Sequence, residues 1–165
     1  NNTWSVMANI MNYKEIKSIL FVCMGNICRS PSAEAVFTHK SKLKALTLRI
    51  DSAGTVGAHA REKPDHRAQK AGAERGYSFD GIRARKVTVQ DFEDFDLILA
   101  MDNANLNDLK KLAPEHLQYK IMLFLDFAEN AEESEVPDPY YGGANGFKYV
   151  LDLIEEASNG LLAKF

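Results

Sequence analysis

The sequence predicts an α/β domain with a parallel sheet and helices on both faces. Short apolar runs rich in β-branched residues alternate along the chain with longer segments of helical periodicity. This alternation is typical of consecutive β-α units, in which helices cover parallel strands. The chain has 165 residues, 45% of them hydrophobic and 26% charged, with no internal repeat or low-complexity segment. These proportions indicate one folded domain rather than a disordered chain.

The first half of the chain supplies two strands and two helices. An apolar run at 18–22 stops abruptly at a loop containing Gly and Asn, which is typical of a buried strand. Ser30 is a good N-cap and Pro31 is favoured at the first helical position, so we expect a helix to start there. The first two predicted elements are a strand at 18–22 and a helix from Ser30–Pro31 to about Leu43. They are followed by a strand of alternating Leu46, Leu48 and Ile50 that ends at Ser52, and by a helix over 65–75 capped by Asp65 and ended by Gly76.

The second half supplies two more strands. Residues 88–91 resemble a capping box before a short helix that carries Phe92 and Phe95. The acidic run at 129–135 is predicted to be a solvated face. The predicted elements that follow are a strand at 97–101, a helix with Leu106, Leu109 and Leu112 on one face and Pro114 at its end, a strand at 121–125, a Pro/Gly loop over 136–146 and a final amphipathic helix from Phe147 to Leu161.

Charge and composition exclude several classes of function. The chain has 20 Lys and Arg residues and 23 Asp and Glu residues, which gives a net charge of −3. General binders of nucleic acid or anionic membranes are basic instead. No apolar run approaches the ~20 residues that span a bilayer. The two cysteines, Cys23 and Cys28, are too few for a disulfide scaffold, and no apolar secretion segment precedes residue 17. We therefore expect a cytoplasmic protein with neither nucleic acid nor membrane as a partner.

The start of the chain is expected to lie outside the fold. The first residue is not Met, while Met7 and Met11 follow closely. We treat residues 1–15 as an N-terminal extension, either a remnant of expression or a disordered segment, and residues 16–165 as the domain.

The loop after the first strand is predicted to bind an anion. In parallel α/β sheets, ligands bind at the carboxyl ends of the strands. Residues 23–31 link the first strand to the first helix, so their backbone N–H groups and the helix N-terminus converge on one point. Gly25 and Asn26 are the residue types that tolerate the left-handed backbone that such a wrap requires.

Three side chains of this loop predict covalent phosphoryl transfer. The anion-binding field favours a thiolate at Cys23, Arg29 offers a bidentate fork to a tetrahedral dianion, and the Ser30 hydroxyl could donate to the sulfur. A structural cysteine followed by a surface arginine is the simpler interpretation of Cys-x5-Arg alone, but Gly25 and Asn26 between a strand and a helix disfavour it. The sequence contains neither G-x-x-x-x-G-K-[ST] nor G-x-G-x-x-G, so other phosphate-binding loops fit less well.

The loop VCMGNICRSP, residues 22–31, resembles the signature of the low-molecular-weight protein tyrosine phosphatases. Two further stretches support the resemblance: DSAGT at 51–55 and VPDPYYG at 136–142. The resemblance covers the chain from about Ile16 onward. It implies a four-stranded parallel sheet in a flavodoxin-like fold and hydrolysis of phosphotyrosine in protein substrates, without a metal or other cofactor.

The resemblance also implies roles for individual residues. Cys23 matches the nucleophile, Arg29 the phosphate-binding arginine and Asp138 the general acid. An acid on a mobile loop is independently expected, because a tyrosine leaving group departs as phenolate unless it is protonated. Cys28 is predicted to be the redox partner of Cys23. The residues predicted to bind substrate are Met24, Gly25, Asn26, Ile27, Cys28, Ser30, Ser52, Tyr140 and Tyr141.

The sequence also departs from the family. Many bacterial members have Trp before the His of the second-strand loop, where this chain has Ala58 before His59, and Ile82 stands where a His is frequent. Both changes affect the expected substrate preference rather than the reaction. Asp102 is predicted to be a helix N-cap or a loop tether. The four histidines share no metal-ligand spacing and are interpreted as surface residues: His39, His59, His66 and His116.

Two other functions remain open at the level of sequence. Arsenate reductases use the same fold and loop, but their chemistry generally needs resolving cysteines beyond the loop. A phosphotyrosine-binding module without turnover would be favoured by loss of Cys23, Arg29 or Asp138, and all three are present. The physiological substrate, a bacterial tyrosine kinase among the candidates, stays open, and we expect a monomer or weak homodimer.

Overall fold

A four-stranded parallel sheet forms the centre of the computed structural model, which describes residues 11–140 and 142–165. The strands lie in the order β2-β1-β3-β4. The strands are β1 (Ser18–Cys23), β2 (Arg49–Gly54), β3 (Leu97–Ala100) and β4 (Ile121–Leu123). The helices are α1 (Arg29–Leu43), α2 (His66–Ala73), α3 (Asp91–Asp94), α4 (Asn103–Leu112) and α5 (Ala144–Leu162), with 3-10 turns at Tyr13–Glu15, Glu115–Lys120 and Phe124–Phe127.

Strand β1 is buried along its whole length because helices cover both faces of the sheet. Its side chains alternate: Ile19 and Phe21 join one apolar cluster, whereas Leu20 and Val22 join the other. Helices α1, α2 and α5 supply the first cluster, and α3 and α4 supply the second. The predicted single α/β domain with a parallel sheet is confirmed.

Several predicted boundaries differ from the structure, among them those of β2 and β4. Strand β2 begins at Arg49 rather than at Leu46, because the Leu46 backbone N–H closes the end of α1 by donating to the Ser41 carbonyl at 3.0 Å. Strand β4 has three residues, and the chain then turns at Phe124–Phe127.

The predicted helix cap at Ser30 is wrong. Helix α1 starts at Arg29, two residues before the predicted first helical residue Pro31, and no side chain caps its N-terminus. The Ser30 hydroxyl instead contacts the Cys23 sulfur and the Asn26 amide. By contrast, Asp65 caps α2 as expected, by accepting a hydrogen bond from the Arg67 backbone N–H.

Part of the predicted N-terminal extension contacts the core. Residues 1–10, including Met7, lie outside the described residues. Tyr13 packs edge-on against Phe127 and Phe165, with ring centroids 5.8 and 6.4 Å apart. Sequence periodicity gives no signal for such an isolated aromatic contact. Among the described residues, no helix is long and apolar enough to cross a membrane.

Candidate active site

Loops from three neighbouring strands meet at the carboxyl edge of the sheet. The β1–α1 loop approaches β2 so closely that a Cβ at Gly54 would lie 2.6 Å from the Met24 carbonyl oxygen. The Val136 backbone N–H donates to the Met101 carbonyl just after β3, at 2.8 Å, and this bond brings the Asp138 segment to the same edge. The loops that carry the predicted site residues therefore meet at the predicted edge of the sheet.

Cys23 ends β1 at the base of the loop and is 3% exposed. Its sulfur lies 3.0 Å from Ser30 Oγ and accepts a hydrogen bond from the Asn26 backbone N–H at 3.2 Å. Hydrogen-bond donors at these positions stabilise negative charge on sulfur, which is the form that acts as a nucleophile.

The Asn26 side chain stabilises the conformation of the β1–α1 loop through buried hydrogen bonds. The Asn26 φ of 57° is left-handed, as its residue type allowed us to predict, whereas Gly25, for which we had the same expectation, has no positive φ. Its amide Nδ2 donates to Ser30 Oγ at 2.8 Å and to Ser52 Oγ at 3.0 Å, while its Oδ1 accepts from the Arg85 backbone N–H at 3.0 Å. Asn26, Ser30 and Ser52 are buried behind the loop, so they support the cradle rather than line the cleft.

Glu34 extends this network and was not identified from the sequence. The Ser52 hydroxyl donates to Glu34 Oε1 at 2.7 Å. Burial raises the pKa of the Glu34 carboxyl to about 7, with a further rise from Asp51, whereas the Ser52 hydrogen bond and Arg85 lower it. A glutamate within a helix gives no sequence signal for such a contact with a strand residue 18 positions later in the chain.

Arg29 is 3% exposed, and a carboxylate holds its guanidinium. Nη1 lies 2.6 Å from Asp102 Oδ2 and donates to the Val136 carbonyl at 3.1 Å. Burial alone would lower the pKa of Arg29, but Cys23, Asp102 and Asp138 together raise it. The guanidinium is thus a fixed positive charge beside the Cys23 sulfur.

Asp102 has both of the predicted roles. It caps α4 in a reciprocal capping box with Asn105, and it tethers Arg29. One side chain therefore links the start of a helix to the Arg29 guanidinium.

Asp138 lies at the rim, with its side chain 39% exposed. Its Oδ2 is 3.8 Å from Arg29 Nη2, and its Oδ1 accepts from the Tyr140 backbone N–H at 3.0 Å. This position lets the carboxyl reach the space above Cys23. Tyr141, the other predicted wall residue, lies outside the described residues.

A cleft of about 170 Å³ joins these groups. Of the predicted residues, Cys23, Arg29 and Asp138 line it together with Met24, Gly25, Ile27, Cys28 and Tyr140. His59 also lines the cleft, so its assignment as a plain surface residue is corrected. A Cβ at Gly25 would lie 3.3 Å from the His59 ring, which shows how closely the ring sits against the loop.

Cys28 is buried and, like Cys23, is a free thiol. Burial raises the pKa of the Cys28 thiol to about 12, with further rises from Asp65, Cys23 and Asp138. At neutral pH Cys28 is therefore a neutral thiol. No group of three or more His, Cys, Asp or Glu residues in the described part of the chain is placed to hold a metal ion.

Comparisons with known proteins agree with this geometry. Residues 18–165 match the family of low molecular weight phosphotyrosine protein phosphatases. A putative low molecular weight protein-tyrosine-phosphatase of Synechocystis is 44% identical over 147 residues, which cover 87% of this chain and 93% of that protein.

Two solved structures illustrate the similarity. A protein tyrosine phosphatase of Entamoeba histolytica, with Hepes in its active site, has a TM-score of 0.87 and 45% identity, covering 90% of this chain and 96% of that one. Wzb of Vibrio vulnificus, in complex with benzylphosphonate, has a TM-score of 0.80 and 29% identity. The match covers 91% of this chain and 99% of Wzb.

Proposed function

This chain belongs to the low molecular weight phosphotyrosine protein phosphatase family and hydrolyses phosphotyrosine, and we propose that the reaction proceeds through a phosphocysteine on Cys23. In this mechanism Arg29 binds the phosphate and Asp138 is the general acid. The observation that carries the proposal is that one cleft is lined by all three side chains, with Cys23 at the base of the loop and Asp138 at the rim.

The first step transfers the phosphoryl group to sulfur. The Cys23 thiolate attacks phosphorus, an S–P bond forms, and the P–O bond to the tyrosine breaks. Asp138 donates its proton to the departing oxygen, so tyrosine leaves as a neutral phenol. Loop N–H groups and the Arg29 guanidinium stabilise the charge on the transferring phosphoryl oxygens.

The second step releases phosphate. Asp138, now a carboxylate, takes a proton from water, whose oxygen attacks phosphorus while the S–P bond breaks. The Ser30 hydroxyl, 3.0 Å from the sulfur, stabilises the departing thiolate. The second step therefore regenerates both the thiolate and the protonated acid.

The walls of the cleft favour an aryl phosphate. Tyr140 and His59 supply ring surfaces, and Met24 and Ile27 supply apolar ones. Wzb of Vibrio vulnificus, a relative with the same fold, binds benzylphosphonate, which like phosphotyrosine joins an aromatic ring to a tetrahedral anion. A slender side chain such as phosphoserine would leave these walls without a partner.

The two alternative functions have less support. Arsenate reduction needs further cysteines, and the sequence has none besides Cys23 and Cys28. A binding module without turnover has no need of a general acid, whereas Asp138 lies at the rim of the cleft.

Release of phosphate from p-nitrophenyl phosphate tests the function. We expect turnover by the wild type, and losses in kcat of at least about a thousandfold in Cys23→Ser and Arg29→Ala. Lys111→Ala, at an exposed residue of α4, is the matched control. Retention of more than about a tenth of kcat, a barrier change below about 1.4 kcal/mol, would contradict the assignment. Arsenite production with thioredoxin would favour the reductase, and binding without phosphate release the module.

The proposal extends to the domain boundaries, the oligomeric state, the cellular location and the partners of this protein. We propose that residues 16–165 form the phosphatase domain and act as a monomer or weak homodimer. A nucleophilic thiol requires reducing conditions, which supports a cytoplasmic location. The partners are phosphotyrosine-containing proteins, with a bacterial tyrosine kinase as one candidate.

A further inference from the structure

Beside the catalytic cleft, helices α2 and α5 enclose a second groove of about 280 Å³. Apolar side chains, Ala71 and Phe147 among them, line part of it. Four basic side chains also line it: His66, Arg67 and Lys70 from α2, and Lys148 from α5. We call this surface the α2–α5 groove.

The α2–α5 groove adjoins the catalytic cleft at Arg67. The Arg67 guanidinium lies 4.7 Å from the ring centroid of Phe147, which lines the groove, and 5.4 Å from that of Tyr140, which lines the cleft. In addition, the Asp65 backbone N–H donates to the Ile27 carbonyl of the catalytic loop at 2.7 Å. The start of α2, with its basic residues, is therefore the end of the groove nearest to the cleft.

The positive charge of the groove is only partly neutralised. Asp65 pairs with Arg67 at 3.0 Å. Glu74, which follows the last residue of α2, also lines the groove, at the end remote from the catalytic loop, and is the one acidic side chain among the lining residues. Lys70 and Lys148 are exposed and form no ion pair within residues 11–140 and 142–165. Since the chain as a whole carries a net charge of −3, this positive surface is a local feature.

We propose that the α2–α5 groove binds acidic residues that flank the phosphotyrosine of a protein substrate. The proposal rests on the phosphatase function and adds a sequence context to its substrate. With the phosphotyrosyl side chain in the cleft, the peptide passes over Arg67 and Tyr140 and places its carboxylates beside Lys70 and Lys148. Complementary charge of this kind governs which partner is chosen and how fast it associates.

Two matched phosphotyrosyl peptides test the groove. One carries Asp and Glu around the phosphotyrosine, and the other carries Asn and Gln at the same positions. We expect the wild type to have a higher kcat/KM for the acidic peptide by about fivefold at low salt, and a smaller ratio at high salt, because surface charges are screened. The Lys70→Glu/Lys148→Glu variant should bring the ratio to one or below.

Controls separate this inference from the catalytic assignment. The double variant should retain wild-type kcat/KM for p-nitrophenyl phosphate, which is too small to reach the groove, and Lys111→Glu should retain the peptide ratio. A wild-type ratio near one, or a ratio unchanged in the double variant, overturns the groove proposal while turnover continues. Loss of self-association in the double variant on size exclusion, with the ratio unchanged, would assign the groove to a second copy instead. Absence of turnover on every substrate would contradict the phosphatase function itself.

Discussion

Arg29 Nη1 lies 2.6 Å from Asp102 Oδ2, and the same aspartate caps helix α4. The arginine that we propose binds phosphate is thus held by a carboxylate whose own position a helix fixes. A guanidinium held in this way presents its donors to an incoming phosphate with little further ordering, which lowers the barrier to reaction.

Asp102→Asn tests this positioning role. Asn is also a good N-cap, so this change removes the ion pair with Arg29 and keeps the cap. We expect kcat/KM for p-nitrophenyl phosphate to fall by about 10- to 100-fold, the loss that a misplaced catalytic group produces. Asp102→Ala should show the same kinetic loss and lower stability by about 1 kcal/mol more, because it also removes the cap. Wild-type kcat/KM in the Asn variant would show that Arg29 needs no tether.

Asp138→Ala distinguishes a general acid from a structural residue. The loss in kcat/KM should be greatest for aryl phosphates with poor leaving groups, because these need the proton most, and smallest for activated ones. The fall in activity at high pH should also become shallower. A series of substituted phenyl phosphates measures the effect. An equal loss across the series would make Asp138 a structural residue.

Glu34 should make the stability of the protein depend on pH. Its carboxyl has a pKa of about 7 in the folded state, against an ordinary value of 4.5, so the folded state binds its proton more tightly than the unfolded state does. The free energy of unfolding should therefore fall as pH rises from about 4.5 to 7, by roughly 1–3 kcal/mol from this group. Urea unfolding at pH 5 and pH 8 measures the difference.

Glu34→Gln is the matched variant, because Gln keeps the acceptor for Ser52 and cannot ionise. Its stability should fall less between pH 5 and pH 8 than that of the wild type. Identical falls in the two proteins would show that Glu34 titrates normally.

The sequence predicted which segments meet at the cleft better than it predicted the contacts behind them. The strand–loop–helix pattern around Cys23, the left-handed Asn26 and the Asp65 cap are local features, and local sequence predicts them. The Ser30 contact with the Cys23 sulfur was predicted, although the same residue was wrongly assigned as a helix cap. The Ser52–Glu34 hydrogen bond was not predicted, because it depends on how α1 packs on β2.

His59 and Arg67 show the same limit. Each lies in a polar stretch with no distinctive spacing, and only the packing of its segment brings it to the cleft or to the neighbouring groove. Contacts between distant segments depend on tertiary packing, which residue spacing does not specify.

Cys28 is predicted to protect the nucleophile from irreversible oxidation. Peroxide converts the Cys23 thiolate to a sulfenic acid, and the Cys28 thiol then displaces its hydroxyl as water to form a disulfide. Dithiothreitol should restore activity in the wild type and much less in Cys28→Ser. Because the raised pKa keeps Cys28 protonated, the bridge should form slowly, and recovery should fall as peroxide concentration rises. Equal recovery in both proteins would make Cys28 a packing residue.

Mass spectrometry of an acid-quenched reaction tests the central claim most directly. Asp138→Ala should form the phosphocysteine readily from p-nitrophenyl phosphate, whose leaving group needs little protonation, and hydrolyse it slowly for lack of a base. We predict one added phosphoryl group on the peptide that contains Cys23, and none in Asp138→Ala/Cys23→Ser. Turnover with the phosphoryl group on another residue, or with no covalent adduct at any time, would contradict the account.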